Sequence, residues 1–290
     1  MKITGTWYGT AALHLVVDEA LGVFFDPWFA RPPTARPQIA ADPATVDLQP
    51  LDVILASHSH FDHIINLPDL VRRYPLVQAY VPAATVRNCR KLCSGAIFKE
   101  YSCPLTDGAW ARIHTVTAGD CTEASSRGGS VRLRATAIRS GHVRFDAHSV
   151  LRVVFNFEVI RRLGYYSKFL VGFPMKEVLG WEVQLESGGE SKRIVFFGSL
   201  CKKYAPALRQ YTGCDYAFLP LAGRKNILPY ASVVTEVLQP RVVVPVHHDD
   251  FFPPVSYPVD YRNYAEWLKK SMPGTKLLEL PPEQPTVLPV

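Results

Sequence analysis

The sequence predicts an α/β sandwich, a fold in which β-sheets and helices pack in layers around an apolar core. Two observations support this class. Short strand-like apolar runs are interspersed with segments of helical pattern, and some runs are continuously apolar while others are apolar on one face only. No internal repeat or low-complexity linker divides the 290 residues. We therefore expect a single domain over residues 1–290.

In the first half of the chain, apolar runs that end at turn residues predict strands. Residues 130–138 are an example, because Val131 and Leu133 alternate with polar residues as in a half-buried strand. A proline-rich loop is expected over residues 31–47. The predicted elements are, in chain order, strands at Leu13–Val17, Gly22–Asp26 and Val53–Ser57, a helix at Asp69–Tyr74, a strand at Val77–Val81, a helix at Ala84–Leu92 and a strand at Ser130–Ile138.

The second half continues the mixture of strands and helices. Ser187-Gly188-Gly189-Glu190 is typical of a hairpin turn between two strands. The predicted elements are strands at Trp181–Glu186, Arg193–Phe197, Asp215–Leu219 and Val242–Val246, and helices at Ser232–Leu238 and Tyr261–Met272.

One segment, at about residues 145–180, is rich in aromatic and basic side chains, among them Phe155, Arg161 and Tyr166. We interpret it as a cap inserted over one face of the domain. A packing element or a dimer interface is the alternative, and the sequence does not predict an oligomeric state.

The composition argues against several classes of protein. Hydrophobic residues make up 48% of the chain, yet no apolar run approaches the roughly 20 residues of a membrane span. The N-terminal residues lack the basic-then-apolar pattern of a signal peptide, so we expect a soluble, cytoplasmic protein. The net charge of +6 comes from dispersed basic residues without a nucleic-acid-binding motif, and the six cysteines are scattered, as expected for reduced thiols.

Three histidines and an aspartate follow a predicted buried strand within the hexapeptide of residues 58–63. His58 and His60 are two positions apart, so in an extended backbone they point to the same side. Asp62 and His63 are adjacent, and a turn can direct them to a second point. Imidazole and carboxylate are ligands for zinc, manganese and iron. The loop therefore predicts metal binding, with ligands for two ions.

The hexapeptide resembles the His-x-His-x-Asp-His signature of the metallo-β-lactamase superfamily. That family has an αββα sandwich with its metal site along one edge of the two sheets, and the resemblance extends in order over nearly the whole chain. It is closest to the branch that includes ascorbate-6-phosphate lactonase and N-acylphosphatidylethanolamine-hydrolysing phospholipase D. The other matching segments are Thr6–Gly9, Phe25–Trp28, Ser140–His142, Asp215–Pro220 and Val244–His247.

The resemblance implies six metal ligands in two groups: His58, His60 and His142 for one ion, and Asp62, His63 and His247 for the other. It further implies catalytic roles for His58 and His60, which hold a water molecule, and for Asp62, which binds metal and orients that water. Asp26 would orient a histidine ligand, as carboxylates do around metal sites.

The sequence departs from the family at one position. An aspartate usually follows a glycine there and bridges the two metals, whereas this chain has Ser199. A neutral serine is a poor substitute for a bridging carboxylate. Either both ions bind with hydroxide as their only bridge, or the second site is weakened, or one of Cys201, Asp249 and Asp250 takes the place of the bridge.

The remaining histidines have less specific interpretations. His148, in the cap, contacts substrate or is a loop residue. His248 adjoins His247 and is a fallback ligand. His14 and His114 lie in strand-like runs, so structural roles are expected.

These features together predict a metal-dependent hydrolase in which a metal-activated water attacks an ester, lactone, amide or phosphodiester. Zn²⁺ is the expected cofactor, as one or two ions, with Mn²⁺ or Fe²⁺ as alternatives. Oxygen-reducing di-iron members of the superfamily carry glutamate where this chain has His60, which argues against redox chemistry. The alternative function is a catalytically idle protein that binds a ligand or partner, and Ser199 motivates it.

The predicted cap gives the only indication of substrate. Its aromatic and basic residues favour a small-molecule or lipid-like anionic amphiphile, with peripheral membrane contact and without nucleic acid. Arg224 and Lys225 reach a phosphate group if their loop borders the site; otherwise they are solvated charges.

Overall fold

The computed structural model describes residues 1–29, 31–96, 99–143, 151, 155–161 and 163–289. Within them, two seven-stranded mixed sheets pack face to face and helices cover the outer faces. This arrangement is the αββα sandwich that the sequence predicts. No helix in the described part of the chain has the length and apolar character that crossing a membrane requires.

The first sheet contains the strands β1 Ile3–Trp7, β2 Leu13–Val17, β3 Leu21–Phe25, β4 Val53–Leu55, β5 Gln78–Val81, β6 Ile113–Thr115 and β14 Thr286–Val287. Their order is β14-β1-β2-β3-β4-β5-β6. The pairs from β14 to β3 are antiparallel and those from β3 to β6 are parallel. The parallel strands are therefore buried beneath helices on one face and beneath the second sheet on the other.

The second sheet contains the strands β7 Cys121–Ser125, β8 Val131–Arg139, β9 Leu179–Ser187, β10 Glu190–Phe197, β11 Tyr216–Pro220, β12 Val242–Val246 and β13 Lys276–Leu277. Their order is β13-β12-β11-β10-β9-β8-β7. The pairs from β7 to β10 are antiparallel and those from β10 to β13 are parallel. Ser187 pairs with Glu190 across the predicted hairpin.

The helices are α1 Phe61–Ile64, α2 Leu67–Arg73, α3 Ala83–Cys93, α4 Asp107–Trp110, α5 Phe157–Arg161, α6 Leu163–Gly172, α7 Leu228–Leu238 and α8 Arg262–Ser271, with 3₁₀ helices at Lys99–Tyr101 and Lys202–Tyr211. The described residues form three apolar cores. One lies between the sheets, one between the first sheet and its helices, and one between the second sheet and its helices.

The long, strongly patterned elements lie close to where the sequence places them. Four short strands, β6, β7, β13 and β14, were not predicted. β13 and β14 have only two residues each, and β7 at one end of its sheet is largely exposed, so neither length nor apolar alternation marks them. The 3₁₀ helix over Lys202–Tyr211 was also missed, and Pro206 lies inside it.

Candidate metal centre

The predicted site residues converge because they follow the carboxyl ends of strands in both sheets. The carboxyl ends of neighbouring parallel strands lie at one edge of a sheet, and binding sites in α/β folds form there. The residues that leave these ends are Asp26 after β3, His58 after β4, His142 after β8, Ser199 after β10 and His247 after β12. The two sheets thus contribute to one site from opposite sides.

The first ligand group contains His58, His60 and His142. One ligand atom of each lies within 4.8 Å of the others. The rings of His58 and His60 are 4.8 Å apart, as are those of His60 and His142. His60 has an extended backbone before α1, so the two loop histidines face one point, as their spacing predicts.

The second ligand group contains Asp62, His63 and His247, and all three are buried. Oδ2 of Asp62 lies 3.5 Å from Nε2 of His63 and 3.4 Å from Nε2 of His247. The ring of His63 is 4.0 Å from the ring of His58 in the first group. The two groups are therefore adjacent, and α1 carries Asp62 and His63 of the second group.

Hydrogen bonds fix the tautomers of two loop histidines. The hydroxyl of Ser57 donates to Oδ2 of Asp26 at 2.7 Å, so its oxygen accepts from Nδ1–H of His58 at 2.9 Å. Nδ1–H of His63 donates to the same Asp26 oxygen at 2.8 Å. In the neutral rings, the lone pairs of both Nε2 atoms are therefore available to the centre. Among the described residues, Nε2 of His58 has no hydrogen-bond partner although it is buried.

His142 has the same tautomer, because its Nδ1–H donates to the carbonyl of Val143 at 2.9 Å. Burial, together with the neighbouring His60, lowers the pKa of His142 to about 4. Burial and four nearby imidazoles place the pKa of His58 well below its usual value. Both rings are thus neutral at pH 7, the form in which imidazole binds metal.

The second group carries the negative charge of the centre. Burial alone would raise the pKa of Asp62, but the imidazoles of His63 and His247 outweigh it and hold the pKa far below its usual value. Burial opposes protonation of His63, whereas the carboxylates of Asp62 and Asp26 raise its pKa. An imidazole held by two carboxylates is a strong electron donor for a cation.

These observations fit a divalent metal better than a polar loop. Five imidazoles and a carboxylate surround two adjacent points, three of the rings have a fixed tautomer, and one buried Nε2 lacks a partner in the described structure. Nitrogen and oxygen donors of this kind suit Zn²⁺, Mn²⁺ and Fe²⁺.

Ser199 makes two hydrogen bonds to the loop that carries His142. Its hydroxyl oxygen accepts from the N–H of Val143 at 3.0 Å, and its carbonyl accepts from the hydroxyl of Ser140 at 2.8 Å. Neither Cys201 nor Asp249 belongs to the two ligand groups found in the described residues. Both carboxylate oxygens of Asp249 bind elsewhere, as described below.

The other histidines that the structure describes lie outside the two ligand groups. His248 stacks on Trp7 with the ring centroids 4.8 Å apart. Nε2 of His14 contacts the carbonyl of Pro50 at 3.0 Å, and that of His114 contacts Gln78 at 2.8 Å. His148, the candidate substrate contact, lies outside the described residues.

Ser57 and Gly198 belong to the centre but were not predicted from the sequence. A Cβ at Gly198 would lie 2.0 Å from Oδ2 of Asp26 and 2.2 Å from Oγ of Ser57. Only glycine therefore permits the hydrogen bonds that orient His58 and His63. The one available signal was the position of Ser57, a polar residue between an apolar strand and the first histidine.

A cavity of about 310 Å³ opens onto both ligand groups. Its wall is mostly apolar and includes Phe61, Phe169 and Phe252, whose ring centroids are 4.8 to 5.0 Å apart. Phe61 lies between two of the histidine-loop ligands, and Phe169 lies on α6 in the predicted cap. Arg224 is also part of the wall. Its guanidinium donates to the carbonyls of Leu200 and Ala222 and lies 3.8 Å from the Tyr230 ring centroid.

Comparison with known sequences gives matches to proteins named as hydrolases. A protein named a metal-dependent hydrolase from Anaeromyxobacter sp. (strain K) is 35% identical over 72 residues. That match covers 25% of this chain and 24% of the relative, so the chain spans about a quarter of the length of this relative.

Comparison with solved structures supports the fold. CmlA, a diiron beta-hydroxylase from Streptomyces venezuelae, has a TM-score of 0.53 at 14% identity, over 99% of this chain and 54% of that one. An isothiocyanate hydrolase from Delia radicum gut bacteria has a TM-score of 0.52 at 12% identity, over 98% of each chain. At such identities the likeness concerns the fold alone.

The sequence profile described as "Beta-lactamase superfamily domain" matches residues 22–248. This span is most of the chain, and it runs from β3 to His248, so it includes both ligand groups. The histidine loop, the αββα sandwich and this match agree, and the chain belongs to the metallo-β-lactamase superfamily.

Proposed function

We propose that this protein is a metal-dependent hydrolase whose centre is formed by His58, His60 and His142 on one side and by Asp62, His63 and His247 on the other. The proposal is supported above all by one observation: two adjacent ligand groups of three residues each line the same cavity. Zn²⁺, as one or two ions, is the first candidate, and Mn²⁺ and Fe²⁺ are the alternatives. The relatives named metal-dependent hydrolases support the same reaction class.

When bound, a divalent ion lowers the pKa of water towards about 7 and polarises a carbonyl or phosphoryl oxygen. The chain's own residues supply the rest. Asp62, ionised at neutral pH, accepts a hydrogen bond from the attacking water and so orients it. The hydroxyl of Ser199 accepts from Val143, and within the described structure its proton is left to donate into the cavity. Asp26 and Ser57 keep the histidine rings in place.

The proposed substrate is an ester, lactone or phosphodiester that combines an apolar part with an anionic part. The phenylalanine wall of the cavity suits the apolar part, and the cation of Arg224 suits the anionic part. We place the chain near the lactonase and phospholipase D-like branch on the motifs of the sequence alone.

We further propose one domain with a cap at about 145–180. Phe155 and Phe157 there are 76% and 77% exposed, as a surface that meets an amphiphile would be.

The test of the cap is deletion of residues 150–178 followed by assays on short and long acyl esters. A larger loss on the long esters is expected, because α6 contributes Phe169 to the apolar wall. Equal losses on both would remove the argument for a lipid-like substrate.

The test of the function is the metal content of freshly purified, chelator-free protein by elemental mass spectrometry. His60→Ala is measured beside it, with His114→Ala as the matched control, since His114 contacts Gln78 outside both ligand groups. We expect metal in the wild type and in the control, and a loss in His60→Ala. Hydrolysis of generic esters and phosphodiesters should then depend on added Zn²⁺, Mn²⁺ or Fe²⁺.

The same measurement separates the enzyme from an idle binding protein, which Ser199 makes a specific alternative. Metal binding without turnover on any ester or phosphodiester would favour the idle protein. Absence of metal even after reconstitution would overturn the proposed function.

A further inference from the structure

We propose that Asp249 is a positioning residue for the metal ligand His247, and that it acts with Arg31 through the backbone of Thr10. The inference rests on the proposed metal centre and assigns a role to a buried ion pair that contributes no ligand to it. Three consecutive contacts connect Arg31 to His247.

The first contact is the ion pair. Nη2 of Arg31 donates to Oδ2 of Asp249 at 2.5 Å, and the two side chains are only 3% and 1% exposed. A charge-assisted bond in so dry an environment fixes the orientation of the carboxylate. Arg31 itself rests near Trp28, with its guanidinium carbon 5.6 Å from the ring centroid.

The second contact joins the carboxylate to the turn between β1 and β2. The N–H of Thr10 donates to both oxygens of Asp249, at 3.1 and 3.0 Å. Thr10 has a φ of 49°, in the left-handed region. The preceding Gly9 has no room for a side chain, because a Cβ there would lie 2.1 Å from Nη1 of Arg31. The turn is therefore packed directly on the ion pair.

The third contact joins the turn to the metal ligand. The carbonyl of Thr10 accepts from the backbone N–H of His247 at 2.6 Å, and also from the indole of Trp7 at 2.9 Å. His247 follows the end of β12 with a φ of 53°. A non-glycine residue keeps such a conformation only when its surroundings impose it. The Thr10 carbonyl is one such constraint, because it fixes the backbone from which the imidazole extends towards Asp62.

The position of Arg31 in the chain, close to Asp26, connects the ion pair to the other residue that supports the second ligand group. Asp26 and Arg31 belong to the same segment after β3. Asp26 accepts directly from His63, and Arg31 acts on His247 through Asp249 and Thr10. One segment without ligands therefore supports two of the three residues in the second ligand group.

The test is Asp249→Asn in the full chain, titrated with Zn²⁺ against a chromophoric chelator and checked by elemental mass spectrometry. The amide keeps the volume and one acceptor for Thr10 but loses the charge that holds Arg31. We expect the zinc ion that His247→Ala also affects to bind roughly 10- to 100-fold more weakly, the range found when partners of metal ligands are removed. The ion that His60→Ala affects should bind as in the wild type.

Asp215→Asn is the matched control. Asp215 accepts from the N–H of Arg193 at 2.8 Å and lies near two basic side chains, but it is outside both ligand groups. Both variants should melt at a lower temperature, and only Asp249→Asn should lose zinc affinity. If Asp249→Asn does not fold, the double variant Arg31→Met/Asp249→Asn leaves no unpaired charge and should show the same weakened ion.

Two results would overturn the inference, and they are distinguishable. Wild-type zinc affinity in folded Asp249→Asn, with a loss in His247→Ala, would leave the metal centre intact and reduce the ion pair to a purely structural role. Zinc binding that His247→Ala does not alter would remove His247 from the centre. The proposed centre and the positioning role would then fail together.

Discussion

Gly198→Ala is a small substitution with a large expected effect on the metal centre. Its Cβ would lie 2.0 Å from Oδ2 of Asp26, whereas real Cβ contacts stay beyond 3.0 Å, so the carboxylate must move by about 1 Å. That oxygen accepts from Ser57 at 2.7 Å and from His63 at 2.8 Å. A displacement of this size breaks at least one of the two hydrogen bonds.

The magnitude follows from two contributions. Overpacking a tight buried site costs about 1–3 kcal/mol, and loss of a hydrogen bond to a charged group costs about 1.5–3 kcal/mol. Partial relaxation reduces their sum, so we expect about 3 kcal/mol and a melting temperature lower by about 5–10 °C. Because His63 loses its fixed orientation, the affinity for metal in its group should fall roughly 10- to 100-fold.

The assay is thermal unfolding of the metal-free protein, followed by zinc titration of the folded protein. Gly128→Ala is the neutral control, since a Cβ there meets nothing within 4 Å. Gly22→Ala is the control for strain alone, because its Cβ would meet the carbonyl oxygen of Pro50 at 1.8 Å, outside the ligand groups. Wild-type zinc affinity in Gly198→Ala would refute the orienting role of the Asp26 and Ser57 hydrogen bonds.

Two further predictions concern pH and the missing bridge. Burial lowers the pKa of His14 from 6.5, its unfolded-state value, to about 4. The stability that the neutral ring contributes is therefore present above pH 6.5 and is lost as the pH falls to 4. His14→Gln should remove about 3 kcal/mol of this pH dependence, measured as the free energy of unfolding in urea at pH 6.5 and at pH 4. Ser199→Asp should raise the metal stoichiometry if the second site of the wild type is weakened, because a carboxylate between the ligand groups offsets the charge of two dications. Elemental analysis measures the stoichiometry of both proteins. The same value in the two would count against a weakened second site.

The sequence predicts the fold where a pattern is long. The strand Val242–Val246 is found at the predicted residues, because a short apolar run made mostly of β-branched valines favours a strand that is buried on both faces. The strand after the hairpin begins earlier than expected, at Glu190, because its first residues are exposed and pair with β9 through the backbone. Backbone pairing leaves no trace in the apolar pattern.

Some residues of the candidate site can likewise be predicted from the sequence, and others cannot. The ligands in residues 58–63 are visible in the sequence because their chemistry is concentrated in six positions. Apart from Asp26, which the resemblance implies, the partners of these ligands are not visible, because the contacts that give them their role form only in the folded chain. Gly198 matters through its closeness to Asp26 and Ser57, and Asp249 through its contacts with Arg31 and Thr10. Such pairs are defined by the fold rather than by spacing.

The position of Phe61 between two ligands limits how the substrate specificity of this cavity can change. It lies between His60 and Asp62, and its ring contacts Trp28, Phe169 and Phe252. A change at Phe61 would reshape the cavity and disturb the ligands at once. Phe169 reaches the same cavity from α6, a helix that holds no residue of either ligand group. Selection for new substrates is therefore expected to act through α6, while Phe61 remains constrained by its position between the ligands.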